Sequence, residues 1–307
     1  MKVLVTGGSG FIGTHLVNKL VENGNEVIVM DNAQPKLEES KDSPKTFLSL
    51  QKPLVSARNP KAKFIAGDIR SEEDVRIAMQ GCKAVFHLAA IAQARNVDED
   101  LMYKVNYLGS KTIFDAAEKR GAKIVFTSTA AVYGNAPPPL KETANCKPIS
   151  YYGTTKLKAE QLLKGTDAFV TRLFNVYGPF NNTGVINVFC RKMMNYEEMP
   201  LIGTGRQTRD FVYVDDVVDA LLLGMEHTGI YNVGTGKETS VLQLIETIEK
   251  TTRYKPNIKR MPPSSFDPER SIADITKISR LGWKPNVSLE KGIRLVLESL
   301  GEKFEHI

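Results

Sequence analysis

The chain has 307 residues, 42% of them hydrophobic and 25% charged, and its 41 Lys and Arg against 35 Asp and Glu give a formal net charge of +6. That balance excludes disordered, collagenous and coiled-coil chains, and at this length it predicts about two domains, or one large α/β domain with an appendage. Acids and bases are interspersed, so the surplus forms no arm for nucleic acid; no nucleic-acid partner is expected, and a small anionic ligand suits the charge as well. The cysteines, Cys82, Cys146 and Cys190, are far apart and show no C-x-x-C pairing, which predicts neither a disulfide framework nor a metal site. Met1 to Thr6 leaves no room for a signal core, and no apolar run approaches the roughly 18 residues of a membrane span. A cytoplasmic protein without a membrane partner is expected.

In chain order, the apolar runs are Val3 to Thr6, Glu26 to Met30, Lys63 to Ala66, Ala84 to Leu88, Lys123 to Ser128 and Ala168 to Leu173. They alternate with helix-length amphipathic stretches, the pattern of βαβ units, and their near-continuous apolar character predicts a parallel sheet buried on both faces. Phe11 to Asn23 carries Ile12, Leu16, Val17, Leu20 and Val21 at helical spacing, with Gly24 at its C-terminal end. Asp98 to Arg120 and Tyr152 to Lys164 read as two longer helices. Asn32 to Lys61 is polar and proline-punctuated, a connection of about 30 residues in which only Phe47 to Leu50 hints at order. After Asn175 the alternation breaks into short mixed elements. The expected class is α/β, a doubly wound parallel sheet over residues 1–175 with residues 208–233 returning to it, and a smaller mixed α/β domain over residues 176–307.

Gly7-Gly8-Ser9-Gly10-Phe11-Ile12-Gly13 follows a strand and opens a helix, the context of a Rossmann-type dinucleotide site. Gly7 permits the turn, Gly10 lets backbone N–H groups approach a pyrophosphate at the positive helix end, and Gly13 lets helix and strand pack closely. Asp31 ends the second strand, where an acid accepts from adenosine ribose hydroxyls. A 2′-phosphate there would meet a like charge, so NAD is favoured over NADP, with Lys36 the one nearby residue that weakens the inference. Asp68 in Gly67-Asp68-Ile69 either reaches the adenine amino group or closes an Asx-type turn. His87 reads as a satisfied strand residue without a role, and Leu88, Ala89 and Ala90 after it let backbone lie against a flat cofactor.

Tyr152 and Lys156 are four apart on a predicted helix and share a face; Tyr151 lacks that spacing. A tyrosine with an ordinary pKa of about 10 is a poor base at neutral pH, and bringing it near 7 takes roughly 4 kcal/mol from a nearby ammonium and a positive nicotinamide ring. The fifth strand ends in Phe126-Thr127-Ser128-Thr129-Ala130-Ala131-Val132-Tyr133-Gly134, delivering hydroxyls to the sheet edge where open α/β folds bind ligands.

Together these motifs resemble the extended short-chain dehydrogenase/reductase family, in particular its NAD-dependent nucleotide-sugar epimerases and dehydratases. The likeness spans nearly the whole chain and includes Arg172-Leu173-Phe174-Asn175-Val176-Tyr177-Gly178-Pro179 and Arg209-Asp210-Phe211-Val212-Tyr213-Val214-Asp215-Asp216. The resemblance implies that Thr129, Tyr152 and Lys156 are catalytic, with Tyr152 the acid/base and Lys156 holding the nicotinamide ribose. It assigns Gly7, Gly10, Phe11, Ile12, Gly13, Asp31, Asn32, Asp68, Ile69, Leu88, Ala89, Ala90, Asn106, Thr127, Tyr152 and Lys156 to the NAD site. It also implies a homodimer through the two long helices.

The family's dehydratases carry an Asp-Glu pair after the catalytic threonine, because expelling water needs an acid and a base. Here Ala130-Ala131 stand there, and the run resembles that of the 4-epimerases, which implies interconversion of UDP-glucose and UDP-galactose. Another NAD-dependent dehydratase, decarboxylase or reductase on a nucleotide sugar is the alternative, and an intact Thr129, Tyr152 and Lys156 argue against a non-catalytic cofactor-binding module. Ser128, Thr129, Asn175, Arg209, Asp267 and Arg270 are implied at the substrate, Arg209 gripping diphosphate oxygens with its planar fork or else pairing with Asp210 or Asp216. The chain departs from the family where Ser264 replaces a second diphosphate arginine, for which Arg270 is the candidate substitute. Ser271 stands where epimerases that exclude N-acetyl sugars carry a bulky residue.

Overall fold

The computed structural model describes residues 1–32, 59–92, 98–262 and 268–301. The first half runs β1 (Lys2–Thr6), α1 (Phe11–Glu22), β2 (Glu26–Asp31), β3 (Lys63–Ala66), α2 (Glu72–Ala78), β4 (Ala84–His87), α3 (Glu99–Tyr103), α4 (Ser110–Glu118), β5 (Lys123–Thr129) and α5 (Tyr151–Leu162). There follow β6 (Phe169–Leu173), β7 (Asn175–Tyr177), α6 (Val185–Met194), β8 (Met199–Ile202), β9 (Thr208–Arg209), β10 (Phe211–Tyr213), α7 (Val214–Leu222) and β11 (Gly229–Val233). The chain closes with β12 (Thr239–Ser240), α8 (Val241–Thr252), β13 (Ile258–Met261), β14 (Arg270–Ser271), α9 (Thr276–Ser279) and α10 (Leu289–Ser299).

Seven strands form one parallel sheet in the order β11-β6-β5-β4-β1-β2-β3, the doubly wound α/β arrangement expected from the apolar runs. Alternation along each strand sends side chains to two cores. Val3, Val5, Val27, Val29 and Phe86 pack under α1 and α7, whereas Leu4, Ile28, Met30, Val85 and Phe126 pack under α2, α4 and α5. Full burial of each such aliphatic side chain contributes about 1.5–3 kcal/mol, which is why strands with no polar face settle in the middle of three layers. Strand order reverses between β1 and β4, opening a crevice at their C-terminal ends.

The stretch read as one helix from Asp98 to Arg120 is α3 and α4 joined by a π-helical turn, Lys104–Gly109. Gly109 makes room there, since a Cβ on it would stand 2.7 Å from the Ile69 side chain. A third core gathers Tyr177, Ile186, Phe189, Phe211, Leu244, Ile248 and Val296 between β7, β10, α6, α8 and α10. Beside it lies a small sheet in which β9 pairs antiparallel with β12 and parallel with β14. Among the described residues no helix is long and apolar enough to cross a membrane. Most of the polar connection, with Lys36 and Phe47 to Leu50, lies outside the described residues, as do Ser264 and Asp267.

Candidate active site

The crevice between β1 and β4 is floored by the glycine-rich turn. Gly7 takes a φ of +71°, and a Cβ on it would stand 2.7 Å from the Ala89 N. Gly13 lies so close to the turn that its Cβ would meet the Gly7 carbonyl at 2.2 Å. The Gly10 N–H closes the turn on the Gly7 carbonyl at 3.1 Å, and α1 then starts at Phe11 with no side chain capping it. Its first N–H groups are therefore available to an anion. Asp31 reaches in from the end of β2 and accepts the Ser9 N–H at 2.9 Å. The Ser9 hydroxyl is buried without a hydrogen-bond partner, an arrangement that costs free energy unless a ligand completes it. A backbone cradle, an orphan hydroxyl and an acid at the β2 end fit a pyrophosphate-linked dinucleotide. Ser9 escaped the sequence reading, which weighed only the glycines around it.

Around this turn several expected cofactor residues serve the protein itself. Asp68 closes the Asx-type turn, accepting the Arg70 N–H at 2.8 Å and pairing with the Arg70 guanidinium, which holds its carboxyl below the usual range. Ile69 is buried in the core. Asn106, carried inward by the π turn, accepts the Ile91 N–H at 2.8 Å and donates to the Ile91 carbonyl and to Thr155. Its amide ties the loop after β4 to α5 and so supports the pocket wall. Thr127 donates to the His87 carbonyl at 3.2 Å. Asn32 is exposed at the end of β2, while Phe11, Ile12, Leu88, Ala89 and Ala90 are half-buried along the crevice.

His87 has the supporting part expected of it. Ser110 donates to the Asn106 carbonyl and so accepts from His87 Nε2 at 2.8 Å, which leaves Nδ1 to accept from Thr6 at 2.7 Å. Burial, followed by the Lys156 charge, drives its pKa down to about 3, and it stays neutral.

At the end of β5, Thr129 accepts the Ala131 N–H at 3.2 Å, and its hydroxyl eases ionisation of the Tyr152 phenol by hydrogen bonding. α5 is launched by Ser150, which accepts the Gly153 N–H at 3.1 Å. This cap sets Tyr152 in the first turn and Lys156 one turn on. Lys156 is 2% exposed, its Nζ 4.2 Å from the centre of the Phe126 ring. Burial dominates the electrostatics of the pair. Burial pushes Tyr152 up to about 12 and Lys156 down to about 7, because desolvation disfavours both charged forms. The protein prepares the geometry of the pair, and the phenolate needs a further positive charge.

Two of the residues implied at the substrate have partners within the protein. The Ser128 side chain alternates away from Thr129 and donates to the buried Glu160 carboxylate. Arg270 pairs with Thr208 in register and its guanidinium grips Glu238 at 2.6 and 2.7 Å. Arg209 is in register with Ser271 and lies on the other face of that sheet. Asn175 is exposed at the start of β7. Asp210 and Asp216 are engaged by backbone N–H groups, Asp210 by Thr235, Gly236 and Ala273, Asp216 by Asn286 and Val287.

The sequence profile of the NAD dependent epimerase/dehydratase family matches residues 3–234. A putative UDP-glucose 4-epimerase of Methanocaldococcus jannaschii is 36% identical over 312 residues, covering 96% of this chain and 97% of its own. The crystal structure of the Thermotoga maritima UDP-glucose 4-epimerase with UDP-glucose superposes with a TM-score of 0.88 at 37% identity, covering 98% of each chain. UDP-glucuronic acid decarboxylase 1 of Arabidopsis thaliana is 32% identical over 314 residues, covering 95% of this chain and 68% of its own. With a profile match over most of its length and full-length relatives above 30% identity, the chain belongs to the NAD-dependent epimerase/dehydratase family.

Proposed function

We propose that the protein is a 4-epimerase of a UDP-hexose, interconverting UDP-glucose and UDP-galactose through a 4-keto sugar. The observation that carries this reading is the Thr129, Tyr152 and Lys156 constellation, with Ala130 and Ala131 directly after Thr129. The three residues suit oxidation at a secondary alcohol, and the two alanines offer no acid or base to expel water and no charge to meet a sugar carboxylate.

Bound NAD supplies the hydride acceptor and donor at C4 and, in its oxidised form, a positive charge. Tyr152 takes the proton of the C4 hydroxyl, and the Thr129 hydroxyl, already directed at the phenol, orients that proton transfer. Lys156 holds a cation behind the phenol, which lowers the cost of the phenolate. Between the two halves of the cycle the keto sugar must present its opposite face, and the small Ala130 and Ala131 leave it room to turn. Arg209 anchors the diphosphate through that turn, and Ser271 beside it leaves space for an N-acetyl group. The exposed faces of α3, α4 and α5 form the contact of a homodimer.

Incubation with a panel of nucleotide sugars tests the reading, with products resolved by chromatography and mass spectrometry. UDP-glucose and UDP-galactose are expected to interconvert without change of mass. Loss of carbon dioxide from a uronic acid substrate, or NADH released in step with product, would replace it with a decarboxylase or a net dehydrogenase.

A further inference from the structure

Behind the catalytic pair lies a buried ion pair that no step of this reaction uses. Glu160 follows Lys156 by one helical turn of α5, so both side chains leave the same face. Its carboxylate accepts from Arg172 at 2.7 Å through Nη2 and at 3.2 and 3.3 Å through Nε, and also from the Ser128 hydroxyl. Arg172 stands on β6 in register with Ser128 on β5, stacks 4.8 Å from the centre of the Tyr133 ring and donates to the Glu142 carbonyl. Glu160 and Arg172 are each about one-twentieth exposed. Desolvating two such charges commonly offsets what their attraction returns, so stability alone is a poor account of the pair.

The setting of Lys156 supplies another account. Its Nζ faces the Phe126 ring, and no carboxylate stands within ion-pair distance of it among the described residues. The titratable and charged groups around it are Tyr152 on its own helix, neutral His87 on β4, and Glu160 with Arg172 and Tyr133 behind it. Glu160 is the anion of that set, and it opposes the burial that pushes Lys156 down to about 7.

We propose that Glu160 is a positioning residue for Lys156: its carboxylate, fixed in direction by Arg172 and Ser128, holds the lysine in its ammonium form within the apolar pocket, and Arg172 sets how much of that negative field reaches it. The effect on turnover rests on the epimerase reading, whereas the effect on the lysine charge does not.

The test follows the Lys156 resonance of the NAD-loaded protein, labelled with 13C at lysine and assigned by comparison with Lys156→Met, through a pH titration. The pH profile of epimerisation is recorded alongside. Glu160→Gln leaves Arg172 unopposed and is expected to move the midpoint down by about one pH unit or more, whereas Arg172→Gln moves it up. Glu160→Asp keeps the charge and restores most of the wild-type midpoint. Glu160→Gln combined with Arg172→Gln buries no net charge; it decides the question where a single variant fails to fold, and is expected to move the midpoint down by less than Glu160→Gln. An unchanged midpoint in the double variant, or both single variants moving the same way, overturns the proposal. Midpoints that move as stated in a protein that epimerises nothing would remove the functional reading and leave this one standing.

Discussion

Arg209 and Arg270 lie on adjacent parallel strands of one small sheet and point to opposite faces of it. Register makes this so: Arg209 stands opposite Ser271, and Arg270 opposite Thr208, whose hydroxyl shares Glu238 with the Arg270 guanidinium. The Arg270 fork is filled by a carboxylate from its own neighbourhood, while Arg209 is the residue proposed above to anchor the diphosphate. On that proposal Arg209→Met is expected to raise KM for a UDP-sugar about 10- to 100-fold, the loss of one or two charge-assisted hydrogen bonds. Arg270→Met should leave KM within about twofold, since its guanidinium is engaged by Glu238 at the surface. Equal effects of the two substitutions in steady-state kinetics would refute this division.

Tyr152→Phe removes the proposed acid/base and keeps the ring. Its kcat is expected to fall about 10²- to 10⁴-fold, while the affinity for nucleotide sugar, measured by calorimetry, stays close to wild type. A variant that kept full turnover would assign proton transfer to another group.

The parallel sheet was legible because strands buried on both faces must be apolar through their middles, as β1, β2, β4 and β5 are over Val3–Val5, Val27–Met30, Ala84–Phe86 and Ile124–Phe126. The glycine-rich turn was legible because Gly7 and Gly13 are demanded by backbone contacts that any side chain would break. Facing was harder to read. Thr129 and Ser128 are consecutive on one strand, so both cannot serve the same pocket, and the parity rule that turns Ser128 toward Glu160 separates Arg270 from Arg209 as well. The two-residue strands β9, β12 and β14 are too short to carry any periodicity. The π turn left no signal in the helical pattern from Asp98 to Arg120, although it is what brings Asn106 into the pocket wall. Glu160 is a charge inside a buried helix face that no motif singles out, and Arg172 opens the Arg172-Leu173-Phe174-Asn175 motif on a buried strand without a role that the motif assigns.

His87 makes the fold acid-sensitive. Its pKa falls from the ordinary 6.5 to about 3 in the folded chain, so between those values the unfolded chain binds a proton that the folded chain refuses. Stability from this group is complete above pH 6.5 and declines as pH falls toward 3, by about 1.4 kcal/mol per pH unit. Urea unfolding followed from pH 6.5 to 4 is expected to show this slope. His87→Gln should reduce the slope by about one proton, and an unaltered slope would place the sensitivity elsewhere.

Gly13 and Gly24 separate crowding from backbone strain. A Cβ at Gly13 would meet the Gly7 carbonyl at 2.2 Å, whereas one at Gly24 meets nothing within 4 Å but sits at a φ of +78°. Gly24→Ala is expected to cost about 1–2 kcal/mol, the left-handed penalty alone, and to leave NAD affinity unchanged. Gly13→Ala must shift α1 from the turn, so both thermal stability and NAD affinity should fall. NAD binding that survives Gly13→Ala would contradict the close packing of helix and turn.

The orphan hydroxyl of Ser9 yields a prediction in which stability and affinity move in opposite directions. Buried with no partner, it lacks the hydrogen bonds that water would give it in the unfolded chain, and removing such a group relieves a desolvation cost of about 1–3 kcal/mol. Ser9→Ala is thus expected to leave the cofactor-free protein as stable as wild type or more so. The same substitution removes a donor from the turn that would cradle an anionic pyrophosphate, and a hydrogen bond to a charged oxygen is worth about 1.5–3 kcal/mol. NAD affinity should fall by about tenfold or more. Thermal unfolding with and without NAD reads both effects on one sample, and the stabilisation conferred by a fixed NAD concentration should shrink in the variant. If Ser9→Ala destabilised the cofactor-free protein and left that stabilisation intact, the hydroxyl would be a structural group of the turn and not a ligand for the dinucleotide.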